Sequence, residues 1–561
     1  MPDVLCRNCN APLAGMTNIL SSPVSHLLGT NKVPHAAECE KIRESIAAVQ
    51  PLISQLDEDI ARVQRVLERI IKEREVLKEY VNEHALLLTP ARRVPVDIWS
   101  EIFFHCLPQG DDLFASNPDE VPDCLSGRLS PRHPPTLFLQ VCSSWRNIAL
   151  SSPTLWSSIP LHSPYTQVPL SVVQTWLKRS QQAPLTVILT PSSDELFTLL
   201  RGPAARAMFE QSHRWRSVRI KLPIYSLPVF SLLKHNLPEL KELYIDFDSV
   251  FPPRYFDRLQ ELDIFLDAPK LRRVTIYGPP PFIPAKLELP WEQLTHFSSR
   301  RPSQPNSMAA FRILLQSAPH LQEVEWHLSP FGQTVPLALQ HSRLRNLSMS
   351  IQGDPGFAFD YLFLPSLREL IIDLLFGDIR AYTWSWSSFE PFILQNCRAL
   401  ESFALNSHIL RIEEVIPCLE VLPSLLHFSL STGITYHHAI SAPASIEGLL
   451  EALSFTAGDT RRSVLLPKMK TITIVCAVPD MRQAMVVNKF VDMIESRWLD
   501  NDLARRHSEA TNHSDITRIK SASLILHGWS TFSVDPADSD RLRTLRSEGL
   551  QVEVDISGTS F

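Results

Sequence analysis

Nine short segments of one form, with a tenth degenerate one among them ("WEQLTHF"), recur from residue 214 onward: an apolar residue, two others, an apolar residue, one other, an apolar residue. They read "RWRSVRI", "LPELKELYI", "APKLRRVTI", "WEQLTHF", "APHLQEVEW", "HSRLRNLSM", "LPSLRELII", "CRALESFAL", "LPSLLHFSL" and "LPKMKTITI". The leading apolar residues are Trp215, Leu240, Leu271, Leu294, Leu321, Leu344, Leu367, Leu400, Leu425 and Met469, separated by 25, 31, 23, 27, 23, 23, 33, 25 and 44 residues. Alternation at period two predicts a short strand in each unit. No unit of this size can bury its own apolar side, so the units must stack and share one core.

The separations fall mostly within or near the length of leucine-rich repeats, and amphipathic stretches such as "FRILLQSA" and "NKFVDMIESRW" predict intervening helices. The asparagine of the strict pattern is absent from every unit, so the expected array is an irregular leucine-rich-repeat-like α/β solenoid over 165–561. An ordinary α/β domain with recurrent strand starts is the alternative. Residues between the apolar positions should line the opposite, concave face of the sheet. Of these, Arg219, Tyr244, Asp246, Tyr277, Glu325 and Asp373 are candidates for holding a protein substrate. Their mixed charge suits a protein surface, and tyrosine buries a large ring while its hydroxyl finds a polar partner. A merely solvated face would show the same alternation.

Upstream, residues 1–37 read as a flexible N-terminus and 38–86 as a coiled-coil helix. Ile46, Ile53, Ile60, Leu67 and Val81 take one heptad core position, and Val49, Leu56, Val63, Ile70 and Leu77 take the other. The β-branched bias favours two parallel strands, so a homodimer through 39–84 is expected, with a helix folded back on its own chain as the alternative. Pro51 lies outside the seam.

"VPVDIWSEIFFHCLP" predicts a short helix with apolar residues on two ridges, Ile98, Ile102 and Cys106 on one and Trp99 and Phe103 on the other. One ridge can be hidden at home, and the second needs a neighbour. A Pro- and Asp-rich loop follows, and then "TLFLQVCSSWRNIALSSPTLW" predicts a helix capped by Thr136 with Leu137, Val141 and Trp145 stacked at four-residue spacing. These residues carry a resemblance. Val94, Pro95, Ile98, Ile102, Phe103 and Leu107, then Val141, Cys142, Trp145, Arg146, Ala149, Pro153, Leu155 and Trp156, resemble an F-box, with Val94 in place of the usual Leu and an insertion at 108–135. With the preceding helix and the "LLLTPARRVP" junction, the chain is similar to the F-box-like proteins expanded in mushroom-forming fungi. The resemblance implies a three-helix F-box at 90–160 that docks on a Skp-type adaptor of a cullin–RING ubiquitin ligase while the solenoid holds the substrate. The adaptor-binding residues it implies are Val94, Pro95, Ile98, Ile102, Phe103, Leu107, Leu137, Val141, Cys142, Trp145, Leu155 and Trp156.

Composition bounds the rest. Lys and Arg total 54 against 60 for Asp and Glu, net charge -6, and no basic run is long enough for a phosphate stripe, so nucleic acid is not an expected partner. The start "MPDVLCRNCNAPL" lacks a secretory pattern, no apolar run reaches membrane length, and nine scattered cysteines suit reduced thiols, all of which predict a cytoplasmic or nuclear protein. There is no phosphate loop, nucleophile elbow or His-Glu-x-x-His, so neither an enzyme nor a cofactor is expected. Cys6 and Cys9 form half a zinc site with His26, His35 and Cys39 nearby, a donor set too incomplete to predict metal. His296, His327 and His427 fall too far apart along the array for one ion and are expected to be solvated. The competing functional reading is a dimeric scaffold whose F-box helices serve only internal packing.

Overall fold

The computed structural model describes residues 4–6, 11–12, 21–107, 134–162, 169–190, 202–222, 224–247, 263–278, 287–300, 308–328, 338–352, 359, 362–375, 386–396, 399–407, 412–432, 446–455, 465–478, 480–498, 517–528 and 534–558. The chain divides into two units, residues 1–99 and 100–561. In the first, β1 (Val4–Cys6) and β2 (Ala11–Pro12) pair antiparallel, and helix α1 runs from Ala36 to Leu87. Its 52 residues extend about 78 Å, with Pro51 inside and no interruption. At its start the His35 N–H donates to the Glu38 carboxylate at 2.8 Å, and this bond holds the Glu38 pKa below the usual range. The heptad stripe lies open: Ile46, Ile53, Ile60, Leu67, Ile70, Leu77 and Val81 are each more than half exposed.

Among the described residues the second unit has fourteen parallel strands in one sheet, ordered as they follow in the chain. They are β3 (Ser158–His162), β4 (Leu185–Thr190), β5 (Trp215–Leu222), β6 (Glu242–Phe247), β7 (Arg273–Tyr277), β8 (His296–Arg300) and β9 (Glu323–Leu328). The sheet continues through β11 (Asn346–Gln352), β13 (Glu369–Leu375), β14 (Ser402–Ser407), β15 (His427–Thr432), β16 (Thr471–Ala477), β17 (Ser521–Gly528) and β18 (Gln551–Gly558). Between them β10 (Leu339–Gln340) and β12 (Leu362–Phe363) form a small parallel pair. All ten leading residues of the sequence pattern are fully buried. Nine precede their strand by two residues and Trp215 begins its own. Four strands escaped the sequence reading. β3 fits the form through Trp156, Ile159 and Leu161 but its Trp156 was read as part of the helical module, β4 has buried Leu185 opposite Trp215 but one residue too few before Val187, β17 carries Ala522 at its second apolar position, and β18 is preceded directly by Leu550. The sheet begins at Ser158, inside the stretch 90–160 assigned to the helical module.

Along each strand one side is sealed and the other partly open, as in β6, where Leu243, Ile245 and Phe247 are buried and Tyr244 and Asp246 are not. The sealed side meets helices such as Met308–Ser317, whose Phe311, Leu314 and Leu315 are buried. Each such side chain contributes about 1.5–3 kcal/mol, which is what holds successive units together.

The turn backbone that a ladder of asparagines would satisfy is served here by scattered buried polar side chains. Asn396 accepts the Leu364 N–H at 2.5 Å and donates to Leu362 O at 3.0 Å and Phe392 O at 2.9 Å. His341 bridges Ala318 O and the Leu344 N–H. Arg497 donates to the carbonyls of Leu453, Leu465 and Leu466, and burial pushes its pKa down to about 10. Different residues at different repeats do one task, which is why the array is irregular.

Gly278 closes β7 at φ +98°, and a methyl on its Cα would lie 2.3 Å from the Phe247 carbonyl oxygen of the preceding repeat. Gly278→Ala is therefore expected to destabilise the chain by about 2 kcal/mol, through left-handed strain and forced separation of two repeats. Urea unfolding followed by circular dichroism should show a lower midpoint. An unchanged midpoint would mean the two repeats can shift apart freely.

Candidate functional site

The helical module starts with a 3-10 turn, Pro90–Arg93, and helix α2 (Val96–His105), which crosses from the first unit into the second. Within the first unit the Trp99 indole donates to Ala91 O at 3.3 Å. In the second, the stretch predicted as one helix from Thr136 is two. Helix α3 (Phe138–Val141) stops at Cys142, whose backbone is extended at φ -159°, ψ 172°, and α4 (Ser143–Ser151) starts with the Trp145 N–H donating to the Cys142 sulfur. Leu137, Val141 and Trp145 therefore do not form the single ridge their spacing predicts, because an extended residue between helices resets the direction of the side chains that follow.

The break turns Trp145 inward. Phe103 stacks on Phe138 with ring centroids 4.2 Å apart and meets the edge of Trp145 at 4.8 Å. A second knot follows at the 3-10 turn Pro153–Trp156. The Trp156 indole donates to Ala149 O at 2.8 Å and its ring meets Trp176 at 5.3 Å, with the Arg179 guanidinium over it at 4.3 Å. Trp176 and Arg179 belong to the helix Leu170–Arg179, so this knot fastens the module to the start of the sheet.

These contacts sort the twelve residues implied for adaptor binding. Phe103, Leu155 and Trp156 are at most 1% exposed, which corrects their assignment: they hold the module together and offer no surface. Trp145, Val94 and Leu107 are partly covered, and Pro95 and Cys142 are exposed. Ile98, Ile102, Leu137 and Val141 are 52%, 40%, 39% and 53% exposed, the first two one turn apart on α2 and the others at the two ends of α3. Exposed Val96, Phe104 and Leu150 were missed, because they lie off the four-residue ridges by which the sequence was read.

The open face of the sheet holds the second group. Register places Arg219, Tyr244, Thr275, Ser298 and Glu325 in one row across β5 to β9, with Lys221, Asp246, Tyr277 and Arg300 in the row beside it. The Tyr244 and Tyr277 rings are 5.2 Å apart. Arg300 donates to Glu325 at 2.6 Å and to the Tyr277 hydroxyl at 3.3 Å, and Ser298 donates to Glu325 at 2.7 Å. Burial, then the neighbouring Tyr277 and Asp246, raises the Tyr244 pKa well above the usual phenol value. Burial opposes the Arg300 charge, but its bonds to Tyr277 and Glu325 outweigh that and raise its pKa. Five of the six predicted residues thus sit within five strands. Asp373 lies two strands beyond Glu325, where it accepts from Ser350 at 3.3 Å and from Asn406. Arg300, which links Tyr277 to Glu325, was missed because its unit has Ser299 at the third apolar position and so supplied no candidates. From β14 to β17 the same face carries Ala404, Ser429, Ser431, Thr473 and Ser523, and acidic side chains return in β18 with Glu553 and Asp555.

His296 and His327 are partly buried on this face, not solvated as expected, and burial lowers the pKa of both. His296 lies 3.3 Å from Glu323, and His427 shares a hydrogen bond with Thr471. His26 pairs with Glu38 at 3.2 Å, while Cys9, the side chain of Cys6 and most of the predicted insertion lie outside the described residues. Among the described residues no group of three or more His, Cys, Asp or Glu could hold a metal ion, and no helix is long and apolar enough to cross a membrane.

No family model matches the chain, and no curated protein matches it. Among solved structures it is similar to a chain in the crystal structure of the Rad7 and Elc1 complex of yeast, at 12% identity and a TM-score of 0.31 over 86% of this chain and 96% of that one.

Proposed function

We propose that the chain is a non-enzymatic substrate receptor of a cullin–RING ubiquitin ligase: the helical module docks on a Skp-type adaptor, the sheet holds a protein substrate, and α1 pairs two copies. One observation carries the adaptor assignment. Ile102, Leu137 and Val141 stay exposed on helices whose inner faces are already filled by Phe103, Phe138 and Trp145, so internal packing leaves them without a task. They are also positions of the F-box pattern that the sequence resembles. The receptor makes and breaks no bond. It acts by raising the local concentration of substrate lysines beside a charged conjugating enzyme.

Affinity purification of the full chain followed by mass spectrometry tests the reading. Adaptor and cullin peptides are expected, and their absence would leave a dimeric scaffold whose helices serve the fold alone. For the sheet, Tyr244→Ala combined with Tyr277→Ala is expected to abolish capture of a substrate found in that purification while adaptor peptides remain. The pair removes two adjacent rings from the face and leaves the sealed side untouched. Undiminished capture would move the substrate site to the helices or loops.

A further inference from the structure

An unbroken chain of backbone hydrogen bonds runs along the starts of the large sheet's strands from β5 to β17, joining Arg216 within β5 and elsewhere the residue just before the strand. Lys241 N–H donates to Arg216 O at 2.8 Å, Arg272 to Lys241 at 3.0 Å, Thr295 to Arg272 at 2.9 Å and Gln322 to Thr295 at 2.8 Å. Arg345, Arg368, Glu401, Leu426, Lys470 and Lys520 continue the series, each bonded to the carbonyl before it. Successive members are therefore one strand spacing apart, about 4.8 Å. Seven of these eleven positions are Arg or Lys, in a protein whose net charge is -6. Arg216, Lys241, Arg272, Arg345, Arg368 and Lys520 are exposed. Arg368 pairs with Glu401 at 3.3 Å, while among the described residues Arg216, Lys241, Arg345, Lys470 and Lys520 form no ion pair. In the sequence these cations are more than twenty residues apart, and only the stacking of repeats brings them into line.

We propose that this edge of the sheet, where the strands begin, binds an acidic segment of a partner protein. Cations come in clusters: three adjacent at Arg216, Lys241 and Arg272, two at Arg345 and Arg368, two at Lys470 and Lys520, with neutral or acidic residues between. Glu239, Glu242 and Glu401 lie along the same edge, bridged to Lys270, Arg273 and Arg368. A nucleic acid, with a phosphate at every nucleotide, would meet those carboxylates as well as the cations. A polypeptide can space its Asp and Glu to match the clusters, which selects protein over polyphosphate. If the sheet holds the substrate as proposed above, this edge names its chemistry. The edge itself does not depend on adaptor binding.

The test uses the full chain and three fluorescein-labelled probes: a twelve-residue peptide alternating Glu and Ser, the same peptide with Gln for Glu, and a twelve-nucleotide oligothymidine. Fluorescence anisotropy is expected to show binding of the Glu peptide that weakens from 50 to 200 mM NaCl, with little binding of the Gln peptide. The charge-reversed triple variant Arg216→Glu, Lys241→Glu and Arg272→Glu should bind it about tenfold more weakly or worse, and Arg216→Lys with Arg272→Lys should retain binding. Because charge reversal could disturb the fold, Arg345→Gln with Arg368→Gln provides an independent variant whose circular dichroism should match the parent and whose binding should also fall. No binding of the Glu peptide, parent-like binding by both charge-altered variants, or tighter binding of the oligothymidine would overturn the proposal. Since no probe involves the adaptor, failure here leaves the receptor reading standing.

Discussion

Ile102→Glu in the full chain is expected to weaken its hold on a Skp-type adaptor about a hundredfold while leaving the fold intact. Ile102 is 40% exposed on α2, and the same helix seals the module from its other side with Phe103, stacked on Phe138. Substitution at the exposed position therefore disturbs little at home. In a complex it removes apolar burial worth about 1.5–3 kcal/mol for a full side chain and puts a carboxylate with no partner in the covered interface. Phe103→Glu would be the wrong experiment, because Phe103 is 1% exposed and its loss would unfold the module. Isothermal titration calorimetry with purified adaptor provides the measurement, and circular dichroism must show unchanged helix content. A folded Ile102→Glu protein that binds as tightly as the parent would place the adaptor elsewhere or remove it.

Ile60→Asp is expected to convert a dimer into a monomer. Ile60 sits at the middle of α1 and is 54% exposed, with Ile53 and Leu67 one heptad away on either side and equally open. In a parallel two-stranded coil the substitution sets two carboxylates face to face in an apolar seam. That costs several kcal/mol, since neither charge has a partner in the seam. Glu73 and Lys78 flank the seam at positions where a parallel partner would bring opposite charges together, which favours that orientation. Multi-angle light scattering of the parent and the variant decides the matter. A monomeric mass for the parent chain would remove the dimer from the proposed function and leave α1 to meet some other surface.

Much was legible before any coordinates. The apolar-x-x-apolar-x-apolar form located ten strand starts because period-two alternation and a buried leading residue are local demands, met within nine residues of chain. The heptad located α1 to within two residues at either end for the same reason, since seven-residue periodicity is written along one helix. Arg219, Tyr244, Asp246, Tyr277 and Glu325 were placed on one face by alternation alone.

Other features depended on what lies across the fold. The break at Cys142 was invisible because Leu137, Val141 and Trp145 satisfy a helical spacing equally well whether or not the chain is extended between them. Packing of Trp145 against Phe103 decides it. Phe103 and Ile102 are neighbours of like hydrophobicity, and only the position of Phe138 determines which is core and which is surface. Arg300 joined the tyrosine cluster, and the cations from Arg216 to Lys520 joined one edge, through strand register, which links residues 23 to 50 positions apart that no window along the chain can compare. The sequence by itself determined the periods, and so the kind of element each segment forms. Side chains brought together by stacking were decided only by the tertiary structure, because a parallel ladder sets neighbours by hydrogen-bond register and not by distance along the chain.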